Sequence, residues 1–288
     1  MFQENQKSNK SPKILLVGCG KMGEAMLKGW LKNIDPKNIA VVEPDPTSRK
    51  RIEKEYGIKI ISTEGLSLFN IAPFLEFDAS IIVFAIKPQE MEGALKIYNK
   101  YHLLKQNSIF VSIAAGKDIE FLESKLGDDA KIVRAMPNLP AAYNQGFTAL
   151  CKNKNVNVFD FSVVGEVFSI LGEIGKVDDE KMMDAITAAS GSGPAYYFLF
   201  LDSFIKACVK LGIKEDLAVK LSKQTLFGSS FMAKDSKKSA EQLKNDVTSP
   251  GGTTEAALKT LEAKGGIKDL MEQAFSSAAK RSKELSKK

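Results

Sequence analysis

Two hydrophobic patterns run along the chain, and one replaces the other near residue 177. Before that point, short apolar runs of strand length alternate with segments of helical periodicity. KILLVG (13–18) is continuously apolar, as a strand buried on both faces is. KMGEAMLKGWLKN (21–33) places Met22, Ala25, Met26, Trp30 and Leu31 on or near one stripe of a helix. IAVVE (39–43) reads as a strand, PTSRKRIEKEY (46–56) as a helix, and IKII (58–61) and ASIIVFAI (79–86) as strands. PQEMEGALKIYNKY (88–101) reads as a helix, followed by strands SIFVSIA (108–114) and KIVRAM (131–136). FTALCK (147–152) and a helix near 158–171 close this half. Strands separated by helices of this length predict βαβ units and a doubly wound parallel sheet, an α/β fold.

Beyond 177 no convincing strand follows. PAYYFLFLDSFIKACVKLG (194–212) has proline at its first helical position, where the missing N–H costs nothing. Its first half is apolar on nearly every face, which predicts burial all round. The rest of the chain is thin cover for such a helix, so a second subunit is expected to supply part of it. Further helices are expected at 215–233, 239–245, 254–264 and 267–286. The expected division is a polar, disordered tail over 1–12, an α/β domain over 13–177 and an all-helical domain over 178–288.

Composition narrows the function class. A hydrophobic share of 44% and a charged share of 26% are those of a soluble globular protein. The longest apolar run, SIIVFAI (80–86), is far short of the ~20 residues that span a bilayer. The polar N-terminus lacks the apolar core of a signal peptide. Cys19, Cys151 and Cys208 form no CxxC pair, which points to the cytoplasm and away from a disulfide scaffold or metal site. The net charge of +6 is spread out, apart from KRSKELSKK (280–288), which reads as a solvated helix end and not a nucleic-acid contact. Such a field favours anionic small molecules. The single histidine, His102, lies between a helix and a strand, so the usual proton-transfer group of alcohol dehydrogenases is scarce.

VGCGKMGEA (17–25) sets Gly18, Gly20 and Gly23 in GxGxxG spacing between an expected strand and an expected helix, the context a dinucleotide needs. Gly18 permits the tight turn, Gly20 the approach of a pyrophosphate, and Gly23 close helix–strand packing. Lys21 and Met22 complete the loop. At the end of the second strand, Glu43 or Asp45 can hold the ribose 2′-OH of NAD. Arg49, Lys50 and Arg51 can instead neutralise the 2′-phosphate of NADP, or form a solvated helix face. Either NADPH or NADH therefore fits. FAIKPQ (84–89) and SIAAG (112–116) end two further strands, which places Ala85, Lys87, Pro88 and Ala114 on the nicotinamide side of the cleft. Pro88 also suits a helix start, and Lys87 a solvated strand end.

VGCGKMGEA, FAIKPQ, SIAAG, RAMPNLPA, SGSGPAY and DVTSPGGTTEAAL occur in this order and at these separations. Together, over about residues 13–285, they resemble the pyrroline-5-carboxylate reductases. The resemblance implies an N-terminal Rossmann-like domain and a C-terminal all-helical dimerisation domain. It implies NAD(P)H-dependent reduction of 1-pyrroline-5-carboxylate to L-proline, the last step of proline biosynthesis. It implies dimers, often assembled into decamers, and commonly NADPH; Glu43 is not what a strict NADPH enzyme carries. By the same resemblance Thr254 is the catalytic residue, its hydroxyl bonded to the ring nitrogen.

The substrate's carboxylate suits a helix start, where unpaired N–H groups meet the favourable end of the dipole. Gly251 and Gly252 let the ring approach, the N–H groups of Gly252, Thr253 and Thr254 are candidate donors, and Ser249 adds a contact. The same stretch also reads as a plain turn with Thr253 as N-cap and Glu255 in the first helical turn. Asn138 and Pro140 either line the cleft near the nicotinamide or shape a turn. SGSGPAYYF is mainly structural, with Ser192 or Gly193 capping the long helix. A cyclic imine is already a good hydride acceptor when protonated, so the scarcity of histidine is no obstacle. The competing readings are a reductase of the β-hydroxyacid dehydrogenase type, with Lys206 or Lys210 as its lysine, and a nucleotide-binding regulatory module.

Overall fold

The computed structural model describes residues 12–62, 76–100 and 108–286. The expected tail, apart from its last residue, and His102 lie outside them. Eight strands form one sheet among these residues: β1 (Ile14–Val17), β2 (Ile39–Val42), β3 (Lys59–Ile61), β4 (Ile81–Phe84), β5 (Ile109–Ser112), β6 (Lys131–Met136), β7 (Gly146–Lys152) and β8 (Gly172–Lys176). Their spatial order is β3-β2-β1-β4-β5-β6-β7-β8. The central strands β1, β2, β4 and β5 are buried at every position, because helices cover both faces. Side chains alternate across the sheet. Ile14 and Leu16 join one core with Trp30, Val83 and Phe168, while Leu15 and Val17 join the other with Phe84, Met91 and Leu95.

The helices of this half are α1 (Lys21–Trp30), α2 (Pro46–Tyr56), α3 (Pro88–Lys100), α4 (Ile119–Leu126) and α5 (Val158–Ser169). Trp30 locks α1 against α5. Its ring meets Phe168 edge-on at 5.8 Å and its Nε1–H donates to Val167 O at 3.0 Å. A polar atom in a fully buried ring is thereby satisfied.

The sheet departs from the expected parallel pattern at one pair: β7 runs antiparallel to β6. The link from Pro137 to Gln145 holds only the 3-10 turn Leu139–Tyr143. A parallel return needs a crossover of a dozen or more residues, so the chain must double back. Helix α4 and strand β8 are among the additions to the expected set. Helix α4 starts where the Asp118 carboxylate accepts from Phe121 N–H at 2.8 Å and stops at Gly127, whose φ is 100°. Strand β8 carries two glycines and no apolar run, so periodicity could not mark it.

The helical half opens with α6 (Met183–Ile186) and a π turn over Thr187–Gly191. Then come α7 (Gly193–Lys210), α8 (Glu215–Asp235), α9 (Ala240–Asp246), α10 (Thr253–Leu261) and α11 (Ile267–Ser286). The chain divides into two compact units, Met1–Gly191 with Ala279–Lys288, and Ser192–Ala278. In the second unit only Gly193, Cys208, Ala218 and Ser222 are buried. The expected all-round burial of α7 is not met within one chain: Tyr197, Phe198 and Leu199 are 61–67% exposed. A single neighbouring helix covers a single stripe, and here the buried residues come only from α7 and α8. No helix among the described residues is long and apolar enough to cross a membrane.

Candidate active site

The glycine loop leaves β1 at Gly18, whose φ of 87° lies in the left-handed region. Gly18 N–H donates to Val42 O at 2.8 Å, which pins the loop to β2. A Cβ on Gly18 would lie 2.6 Å from Ile86 Cγ2, and one on Gly23 would lie 2.5 Å from Gly18 O and 3.3 Å from Ala85 Cβ. Packing of α1 against β1 and the end of β4 therefore dictates both glycines. Gly20 is different. Its backbone (φ −70°, ψ −168°) suits any residue, and a Cβ there would meet nothing within 4 Å. It is the N-cap of α1, and no side chain caps that start. The N–H groups of the first turn have no carbonyl inside the helix, and open space lies beside them. This cradle fits a dinucleotide pyrophosphate, which a side chain at position 20 would displace. Lys21 is exposed beside it, and Met22 packs back onto the core.

The end of β2 faces the same loop. Glu43 accepts from Cys19 N–H at 3.0 Å through Oε2 and from Asp45 N–H at 3.1 Å through Oε1. Asp45 instead caps α2, accepting from Ser48 N–H at 2.7 Å, and these bonds hold its carboxyl below the usual range. Of the two acids left open by the sequence, Glu43 is the one that faces the glycine loop. Arg49 donates to Ser62 Oγ at 2.8 Å. Arg51 grips both oxygens of Glu24 at 2.9 Å each and reaches Glu55 at 3.2 Å. Cys19, inside the loop, is buried, and burial with nearby carboxylates pushes its thiol up to about 12. It stays protonated at neutral pH.

The remaining expected cofactor contacts lie at the same edge of the sheet. Ala85 follows β4 and its N–H donates to Val17 O at 2.8 Å. Lys87 is exposed and Pro88 opens α3. Ala114 is buried just after β5. Asn138, after β6, has its amide committed: Nδ2 donates to Ser190 Oγ at 3.1 Å and to Ser190 O at 3.3 Å, and Oδ1 accepts from Phe147 N–H at 2.9 Å. It ties the start of β7 to the π turn, and Pro140 lies in the 3-10 turn between. Among the described residues no cluster of three or more His, Cys, Asp or Glu is placed to hold a metal ion.

In the second unit, Ser249, Gly251, Gly252, Thr253 and Thr254 come together at the start of α10. Gly251 has φ 73° and its N–H donates to Glu255 Oε2 at 2.8 Å. Gly252, not Thr253, is the N-cap, and no side chain caps the helix. A Cβ on Gly252 would collide with Ser249 Oγ. The expected donor set needs one correction. Gly252 N–H already donates to Ser249 O at 3.0 Å, because Ser-Pro-Gly-Gly closes a turn. The first three N–H groups of α10 belong to Thr253, Thr254 and Glu255, and these have no acceptor within the helix. Thr254 is half-buried. The two lysines of the competing reading stand exposed on α7, and Lys206 pairs with Asp202 at 2.6 Å.

One feature at this edge escaped the sequence reading. Arg134 on β6 is 6% exposed, and its guanidinium donates to Glu180 Oε1 at 2.7 Å. The same oxygen accepts from Ile119 N–H, the first of α4, at 2.8 Å. The signal was an arginine inside the apolar run KIVRAM, since a buried charge demands a partner. The partner lies too far along the chain to be named from spacing.

Residues 180–285 match a family described as pyrroline-5-carboxylate reductase dimerisation, and residues 13–116 match one described as NADP oxidoreductase, coenzyme F420-dependent. Pyrroline-5-carboxylate reductase of Pseudomonas aeruginosa is 35% identical over 276 residues, 96% of this chain and 97% of its own. The crystal structure of Plasmodium falciparum pyrroline carboxylate reductase with NADP bound superposes with a TM-score of 0.82 at 33% identity, covering 96% of this chain and 98% of that one. The Coxiella burnetii pyrroline-5-carboxylate reductase gives 0.85 at 31% identity, covering 97% and 100%. With that identity sustained over nearly its whole length, the chain belongs to the pyrroline-5-carboxylate reductase family.

Proposed function

We propose that this protein reduces 1-pyrroline-5-carboxylate to L-proline with NAD(P)H, the closing step of proline biosynthesis. The observation that carries the reading is a family-length chain holding both an open glycine-loop cradle at Gly20 and a glycine-capped helix start bearing Thr253 and Thr254. A nucleotide-binding domain over 13–177 and a helical substrate-binding and dimerisation domain over 178–288 divide the work.

Gly18, Gly20, Lys21, Met22 and Gly23 hold the pyrophosphate. Glu43 and Arg49 lie at the adenosine ribose, and Ala85, Lys87, Pro88, Ala114 and Asn138 along the nicotinamide half. Bound NAD(P)H supplies the hydride that reduces the imine carbon. The N–H groups of Thr253, Thr254 and Glu255 receive the substrate carboxylate, helped by the helix dipole. Gly251 and Gly252 keep the approach free of side chains, and Ser249 flanks it. The Thr254 hydroxyl bonds the ring nitrogen and orients it for protonation. The chain's task is thus positioning more than strong acid catalysis.

The working assembly is a homodimer formed through the helical unit, with a decamer of five dimers as its larger form. The exposed apolar faces of α7 and α8 support this, because Ser192–Ala278 buries too little to stand by itself. Three unbonded, buried thiols fit a reducing cytoplasm. The test is a spectrophotometric assay with 1-pyrroline-5-carboxylate and each reduced cofactor. Loss of nicotinamide absorbance with formation of proline is expected, and turnover of a hydroxyacid with none of the pyrroline would reverse the reading.

A further inference from the structure

We infer that Glu43 makes this enzyme select NADH over NADPH. The inference rests on the dinucleotide reading of the glycine loop.

Because β1 and β2 pair in parallel with Val17 opposite Val42, residue 43 leaves the sheet directly beside the glycine loop. Its carboxylate is held there by two backbone donors, Cys19 N–H and Asp45 N–H. A carboxylate has about four acceptor positions, so two remain for a sugar hydroxyl. A ribose 2′-OH can donate to it. A 2′-phosphate is mostly dianionic at neutral pH, has little proton to offer, and brings charge of the same sign against a carboxylate tied by two backbone donors.

Among the described residues, the surroundings offer the phosphate little in return. The start of α2, a natural receptor for an anion, is already filled by the Asp45 carboxylate. Arg51 is taken by Glu24 and Glu55. Arg49 is drawn toward Ser62 and lies near enough to Asp45 to stabilise that carboxylate. Lys50 is exposed on α2 and is the remaining cation of the run. A set of cations that looks like a phosphate clamp in the sequence is, in three dimensions, largely neutralised by its own neighbours.

The test is calorimetric titration of the full-length protein with NADH and with NADPH, without substrate. The expected result is at least about tenfold tighter binding of NADH, the scale of one uncompensated like-charge contact. Glu43→Gln keeps an acceptor for Cys19 N–H and removes the charge, so the ratio should narrow by about tenfold, mainly through tighter NADPH binding. Glu43→Ser provides a second, smaller replacement should the glutamine variant fold poorly. Equal or tighter binding of NADPH by the unaltered protein would overturn the inference while leaving the cofactor reading intact. An unchanged ratio in both variants would remove Glu43 from the selection. Binding of neither dinucleotide would bring down the cofactor reading and this inference with it.

Discussion

Gly20 and Thr254 illustrate two different demands on a single residue. Gly20 has ordinary backbone angles and open space where a side chain would go. The fold tolerates a larger residue there, whereas the proposed pyrophosphate contact would not. Gly20→Val is therefore expected to leave the thermal transition nearly unchanged while abolishing dinucleotide binding by titration. Gly18 and Gly23 would instead fail structurally, since their positions are crowded by Ile86, Ala85 and Gly18 O. For Thr254, loss of one positioned hydroxyl in Thr254→Ala should lower kcat/KM by about 10- to 100-fold, the range for one directed donor. The steady-state assay checks this, and unchanged kinetics would remove the hydroxyl from the mechanism. The motif made these positions visible in the sequence. Their different reasons for being what they are became visible only from neighbouring atoms.

At the scale of elements, two ion-paired ties hold the nucleotide half together. Glu24 on α1 receives Arg51 from α2 and the Tyr56 hydroxyl at 2.7 Å, and the Arg51 bonds above all lower its carboxyl from 4.5 to about 2. A depressed carboxylate pKa stabilises the fold above the ordinary value and loses that contribution as the solution is acidified. Stability should therefore fall between about pH 4.5 and 2, and Glu24→Gln should flatten that part of the denaturation profile. The second tie is Arg134–Glu180–Ile119 N–H, which joins β6, α4 and the entry to α6. Glu180→Ala would strand a buried guanidinium. Glu180 is itself 28% exposed, so water softens the loss. A cost of about 1.5–3 kcal/mol is expected in chemical denaturation, the range for a hydrogen bond to a charged group. The strands β1 to β7 and most helices were legible as apolar runs and periodic stripes. The antiparallel turn into β7, the glycine-bearing β8 and helix α4 were not. Their placement is decided by loop length, by edge pairing and by one aspartate cap.

At the scale of the whole molecule, the two units are stabilised differently. The sheet unit has an apolar core on each face. The unit Ser192–Ala278 buries four residues and leaves Phe227 and Phe231 more than 60% exposed. Exposed aromatic faces of this kind signal an interface. Light scattering of a dilute sample should report a dimer or larger, and a stable monomer would contradict this reading of α7 and α8.

The sequence by itself determined strands β1 to β7 and most helices in their order, the glycine loop, the Pro-Gly-Gly helix start and the family, because these depend on local periodicity and on residues close together in the chain. Tertiary structure decided which acid faces the loop, which cations are already paired, which N–H groups at α10 remain to donate, and where β7 turns back. Each of those depends on partners far apart in sequence. A side chain's availability is set by what has already claimed it.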